Sequence, residues 1–158
     1  MKITRLILTQ KGFTLLELLL VMVVIAAIAG IGVTTFNSYS KNQAFSQAVF
    51  DFVNTLNTAK ARAYSQVVPS GCISLEAYSV SFTSNSYSMN VVCSGVSTVV
   101  KTTNFPGSAI SITTTPRTIT FSVLTGGVIG NGSVVFSGYG GAYTKTVNIS
   151  PVGVISAP

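Results

Sequence analysis

Residues 13–33, FTLLELLLVMVVIAAIAGIGV, are apolar around the whole circumference of a helix and carry one charge, Glu17. A helix of about 20 such residues, rising 1.5 Å each, is long enough to cross a hydrocarbon core of about 30 Å. Further on, the apolar positions narrow to one face. Ala44, Phe45, Ala48, Val49, Phe52, Val53, Leu56, Ala59, Ala63 and Val67 recur mostly three and four residues apart. Gln43, Gln47, Asn54, Asn57 and Ser65 lie opposite, with Phe50 an apolar exception. Pro69 and Gly71 are predicted to end the pattern. One helix is thus expected over 13–66, on the order of 80 Å long. Its first half suits apolar surroundings on all sides, and its second half suits a sheet on one side.

After Gly71 the period changes from 3.6 to two. Strands are predicted at 72–75, 78–82, 87–93, 96–101, 110–114, 118–124, 133–136, 145–149 and 153–155. Thr83-Ser84-Asn85-Ser86 and several glycine-rich stretches separate them. The fold class expected is α+β: a long N-terminal helical spine, transmembrane in its first half, packed on a C-terminal antiparallel sheet. Four segments follow: a basic leader at 1–12, a transmembrane or filament-core helix at 13–36, an amphipathic half at 37–66, and a β-rich globular domain at 67–158.

Composition removes several classes of function. There is no His, and Asp51 is the sole Asp, so the usual general bases and the commonest metal ligand are missing. No catalytic residue, cofactor or metal is therefore expected. The formal charge of +6 points at first to nucleic acid or anionic lipid. Three of the nine basic residues, Lys2, Arg5 and Lys11, precede the apolar run, and without them six bases face three acids, leaving +3. The charge is largely that of a leader, and nucleic acid is not expected as a partner. The stretch at 126–132 lacks the Gly-Lys-Ser/Thr ending of a phosphate loop, and no Asp after 51 could contribute to a calcium site.

Cys72 and Cys93 are either a disulfide or two buried thiols. A disulfide is the expected state if this part is exported, closing a loop worth about 3 kcal/mol of stability in the chain-entropy model.

The N-terminal segment admits three readings: an ordinary signal peptide cut near Ala27-Ile28-Ala29, a plain anchor, or something in which Glu17 has work to do. A carboxylate toward the centre of a spanning helix costs roughly 2.5–3.5 kcal/mol, and less near the interface. Lys11-Gly12-Phe13-Thr14-Leu15-Leu16-Glu17 resembles the type IV prepilin and pseudopilin motif. The resemblance implies cleavage by prepilin peptidase between Gly12 and Phe13 and N-methylation of Phe13. It also implies an assembly role for Glu17, which would pair with the freed amine of a neighbouring subunit and so recover much of its burial cost. Many members have a kinking proline here. This chain has none between 13 and 68, which leaves Gly30 and Gly32 as places for bending or local melting.

The rest of the chain is similar to that family in layout. Residues 56–63 look like the end of the spine helix of minor pseudopilins, and 147–155 like their last hairpin. Some relatives bind DNA through basic residues beside the final glycine, where this chain has Val154 and Ser156. The resemblance implies a non-enzymatic, structural subunit, minor rather than major, of a type IV pilus or a type II secretion pseudopilus. Its partners would be prepilin peptidase, other subunits and an inner-membrane assembly platform. It would sit in the inner membrane with its C-terminal domain outside the cytoplasm, and then in the filament. A DNA-uptake pilin and a secreted adhesin with an ordinary signal peptide are the alternatives.

Overall fold

The computed structural model describes residues 12–114, 118–123 and 127–157, without the side chains of 29–34 and 108. The leader residues 1–11, with Lys2, Arg5 and Lys11, lie outside the described residues. The chain divides into two compact units, Met1–Ser40 and Lys41–Pro158. The main helix, α1, is assigned over Leu15–Tyr64, 50 residues, and has members in both. No break in helical assignment falls at Gly30 or Gly32, so the local melting expected there is not found.

In the second unit α1 buries the predicted face. Phe45, Val49, Phe52, Leu56, Ala59 and Ala63 are all at most 2% exposed, whereas Ala44 and Val67 at the two ends of the pattern stay outside the core. The helix ends earlier than Pro69 suggested. Gln66 takes a left-handed conformation (φ +49°), the Val67 N–H donates to the Arg62 carbonyl at 3.1 Å, and the Gln66 N–H donates to that of Ala63 at 3.3 Å. This is a Schellman closure, in which a left-handed residue folds the chain back onto the last free carbonyls. Glycine is usual at that position, and its absence hid the stop from the sequence. The Tyr78 hydroxyl then donates to the Val67 carbonyl at 2.7 Å, tying the exit of the helix to the sheet.

Among the described residues nine strands follow: β1 Leu75–Phe82, β2 Ser86–Cys93, β3 Val96–Asn104, β4 Ile110–Ile112, β5 Thr118–Ser122, β6 Val128–Ile129, β7 Gly132–Gly138, β8 Tyr143–Ile149 and β9 Ile155–Ser156. They form two antiparallel sheets, in the orders β3-β2-β1-β5-β6 and β4-β7-β8-β9, where a single sheet was expected. Strand period two reports a half-buried strand but not its partner, so the crossing of β4 into the second sheet left no mark in the pattern. The short β6 was not foreseen, and residues 72–74 precede β1 rather than forming a strand.

Both sheets close on one core. Phe52 stands where they meet, its ring centroid 5.8 Å from Phe82 and 5.3 Å from Tyr87 on the first sheet and 5.1 Å from Phe136 on the second. Gly138 lets β7 approach α1, since a Cβ there would lie 2.5 Å from the Phe45 ring. Cys72 and Cys93 are joined by a disulfide with a Cα–Cα distance of 5.5 Å, which fastens the loop after α1 to the end of β2.

Candidate functional site

The residues around Gly12 and Glu17 lie in the first unit. Gly12, Phe13 and Thr14 are outside the helix and exposed, and nothing stands within 4 Å of where a Cβ on Gly12 would be. The Gly12–Phe13 bond is thus in non-helical, open backbone. Helix α1 begins immediately afterwards because Thr14 caps it. The Thr14 carbonyl accepts from the N–H groups of Glu17 (3.1 Å) and Leu18 (3.2 Å), and its hydroxyl also accepts from the Glu17 N–H at 3.2 Å. A Thr followed three residues later by Glu is the sequence form of a capping box, of which the threonine half is seen here. Sequence reasoning singled out Gly12, Phe13 and Glu17 and missed Thr14, although the Thr-x-x-Glu spacing before an apolar run signals it.

The cap changes the account of Glu17. The residue lies in the first turn of α1, not toward its middle. The aligned peptide dipoles place partial positive charge at that end, which favours a carboxylate by about 0.3–1 kcal/mol. Part of the cost of a carboxylate on an apolar helix is therefore offset within the chain.

Beyond it the helix is greasy and uncovered. The large apolar side chains from Phe13 to Ile28 are between 46% and 83% exposed. Among the described residues no helix is long and apolar enough to cross a membrane. The fully described apolar part, residues 15–28, is about 21 Å long as a helix, short of the roughly 30 Å of a hydrocarbon core. Residues 29–33, which complete the expected span, are among those whose side chains are not described.

The other candidate positions lie far along the chain. Val154 and Ser156 are exposed at the β8–β9 hairpin, whose turn is closed by Ser150 N–H to Val154 O and Gly153 N–H to Ser150 O, both 2.9 Å. The Lys60 ammonium donates to the Gly153 carbonyl at 2.8 Å and sits 5.5 Å from the Tyr64 ring centroid, so this cation pins the hairpin to α1. Among the described residues no group of three His, Cys, Asp or Glu could hold a metal ion.

The family model for the prokaryotic N-terminal methylation motif matches residues 7–33. This segment is the signature of type IV prepilin- and pseudopilin-like proteins, structural subunits that prepilin peptidase processes and that assemble with one another. No characterised relative and no solved structure matches the chain.

Proposed function

We propose that the chain is a non-enzymatic, minor structural subunit of a type IV pilus or type II secretion pseudopilus, anchored in the inner membrane by residues 13–36 until it is assembled. Prepilin peptidase hydrolyses the Gly12–Phe13 amide, and the amine released on Phe13 is methylated. The ammonium so formed stands at the start of α1. Glu17 of an incoming subunit meets that ammonium on a subunit already in the filament, and an ion pair in apolar surroundings has one favourable register. Residues 67–158 remain outside the cytoplasm as the globular domain.

The observation that carries this reading is the contrast within α1. Among the described residues its first half exposes every large apolar side chain from Leu15 to Ile28, a surface that a monomer in water rarely presents. An apolar medium or other helices of the same kind would cover it. Ala26, Ala27 and Ala29 are small enough to allow close approach of helices.

Mass spectrometry of the mature N-terminus tests the processing. The expected first residue is methylated Phe13, and a chain beginning near Gly30 would establish the signal-peptide alternative instead. Glu17→Ala tests the register role. Membrane insertion is expected to be intact or improved while recovery in sheared filaments is lost, and normal assembly of this variant would overturn the role given to Glu17.

A further inference from the structure

The filament reading leaves unused a polar cleft in the Lys41–Pro158 unit. It has a volume of about 310 Å³ and opens between the second half of α1 and the outer strand of the five-stranded sheet. Asp51, Asn54 and Thr58 line the helix side, and Lys101 and Thr103 of β3 line the other. A helix laid on a sheet ordinarily fills the seam with apolar side chains, as α1 does everywhere in the core. Here the seam is polar.

The floor is the Tyr87 hydroxyl, hydrogen-bonded with Thr103 and Thr55. Burial pushes the Tyr87 phenol above its ordinary pKa; the Thr103 and Thr55 hydroxyls oppose that shift, and the negative charge of Asp51 adds to it. The floor is therefore neutral, and the charges stand on the walls. Asp51 is on the helix wall, with Oδ1 accepting from Gln47 Nε2 at 2.9 Å, and Lys101 is on the strand wall. Among the described residues no ion pair joins them.

The position of Lys101 is set by an irregularity in β3. Met89 pairs with Lys101 while Asn90 pairs with Val99, so Val100 is an extra residue. Such a bulge re-aims the side chains that flank it. It places Lys101 and Thr103 on the face that Met89 and Tyr87 turn toward α1, and Val99 on the face of Asn90.

We propose that this cleft binds a small zwitterion of amino-acid size, its carboxylate on Lys101 and its ammonium on Asp51, with Asn54 and Thr58 offering hydrogen bonds between them. Ligand pockets run from about 300 to 1,000 Å³, so the cleft lies at the lower limit and suits one small molecule rather than an oligosaccharide or peptide. A ligand with one charge would satisfy one wall and leave the other solvated. Both walls are exposed and screened by salt, so binding is weak, about millimolar, and falls with ionic strength.

The test is a titration of the full chain in detergent micelles with L-serine, read by backbone amide shifts at Asn54, Lys101 and Thr103. Saturable shifts are expected, weakened at least about tenfold in Lys101→Gln and in Asp51→Asn. Propionate and ethylammonium, each carrying one of the two charges, are expected to give no saturation over the same range. Because Asp51 and Lys101 are exposed, both variants are expected to unfold as the parent does. The proposal is overturned if serine does not saturate, if it binds the variants as it binds the parent, or if either single-charge analogue binds as well as serine.

Discussion

The two halves of α1 are built from similar apolar side chains and put them to opposite uses. In the second unit Phe45 and Phe52 are 1% and 0% exposed, held by strands that the same chain supplies. In the first unit Leu15 and Leu16 are 83% and 74% exposed. Burying a large apolar side chain is worth roughly 1.5–3 kcal/mol, and among the described residues the chain gains this from itself after Lys41. Before that point, among the described residues, the large apolar side chains stay exposed. The halves therefore differ in where their stabilising contacts come from, and substitutions should separate them.

The largest expected effect is at Phe52. Phe52→Ala removes the ring that meets Phe82, Tyr87 and Phe136 together and leaves a cavity where the two sheets join, a change expected to cost about 3–5 kcal/mol in chemical denaturation. The matching change in the other half, Leu20→Ala at a side chain 58% exposed, is expected to shift the unfolding of the isolated chain by no more than about 0.5 kcal/mol. Its effect should appear instead as poorer recovery in filaments. A similar loss of monomer stability in both variants would erase the distinction drawn between the halves.

Next in size is the disulfide. It closes a loop of sequence separation 21 and holds the chain between the Schellman turn and β1, where Ile73 is 96% exposed and adds little packing of its own. Cys72→Ser with Cys93→Ser, or reduction of the parent, is expected to lower stability by about 3 kcal/mol. Equal denaturation midpoints with and without reductant would show that the Tyr78–Val67 hydrogen bond and the Ser94–Ser74 backbone bond hold this loop unaided. Since α1 and the sheets carry the core, the reduced protein should remain folded at room temperature.

What could be read ahead of the structure divides along physical lines. The buried face of α1 was legible because a 3.6-residue period needs only local sequence, and Phe45 through Ala63 follow it. Most strand positions were legible for the same reason, and so was the closing hairpin, whose Gly153 has φ +78°. The division into two sheets was not, because pairing depends on contacts distant in sequence, as where Ile112 N–H donates to Ser84 O at 2.9 Å. The helix stop escaped because Gln66 fills a place that glycine usually marks. At the candidate site Glu17 stood out as a charge in an apolar run, and Gly12 and Phe13 were singled out by the resemblance to the prepilin motif, whereas Thr14 looked like ordinary filler and was passed over. The cleft over Tyr87 was invisible for a third reason, since Asp51 and Lys101 are fifty positions apart and come to line one cleft through the pairing of β3, with its bulge at Val100.

The smallest effect is at Thr14, and it bears most directly on Glu17. Losing a threonine cap costs about 1 kcal/mol, which is near a fivefold change in an opening equilibrium. In the full chain in micelles, Thr14→Ala is expected to speed amide exchange at Glu17 and Leu18 by about that factor, while Thr14→Ser, which keeps the hydroxyl, leaves it near the parent rate. Thr14→Val keeps the shape and loses the acceptor, so it should behave as alanine does. Global unfolding should not respond to any of the three, because the first turn contributes nothing to the core around Phe52. If alanine and valine exchange no faster than the parent, the hydroxyl is not what holds the helix start. Glu17 would then owe its place in the first turn to the Thr14 carbonyl and to the carboxylate's own attraction to the helix end, and Glu17→Gln should raise the exchange rate where Thr14→Ala did not.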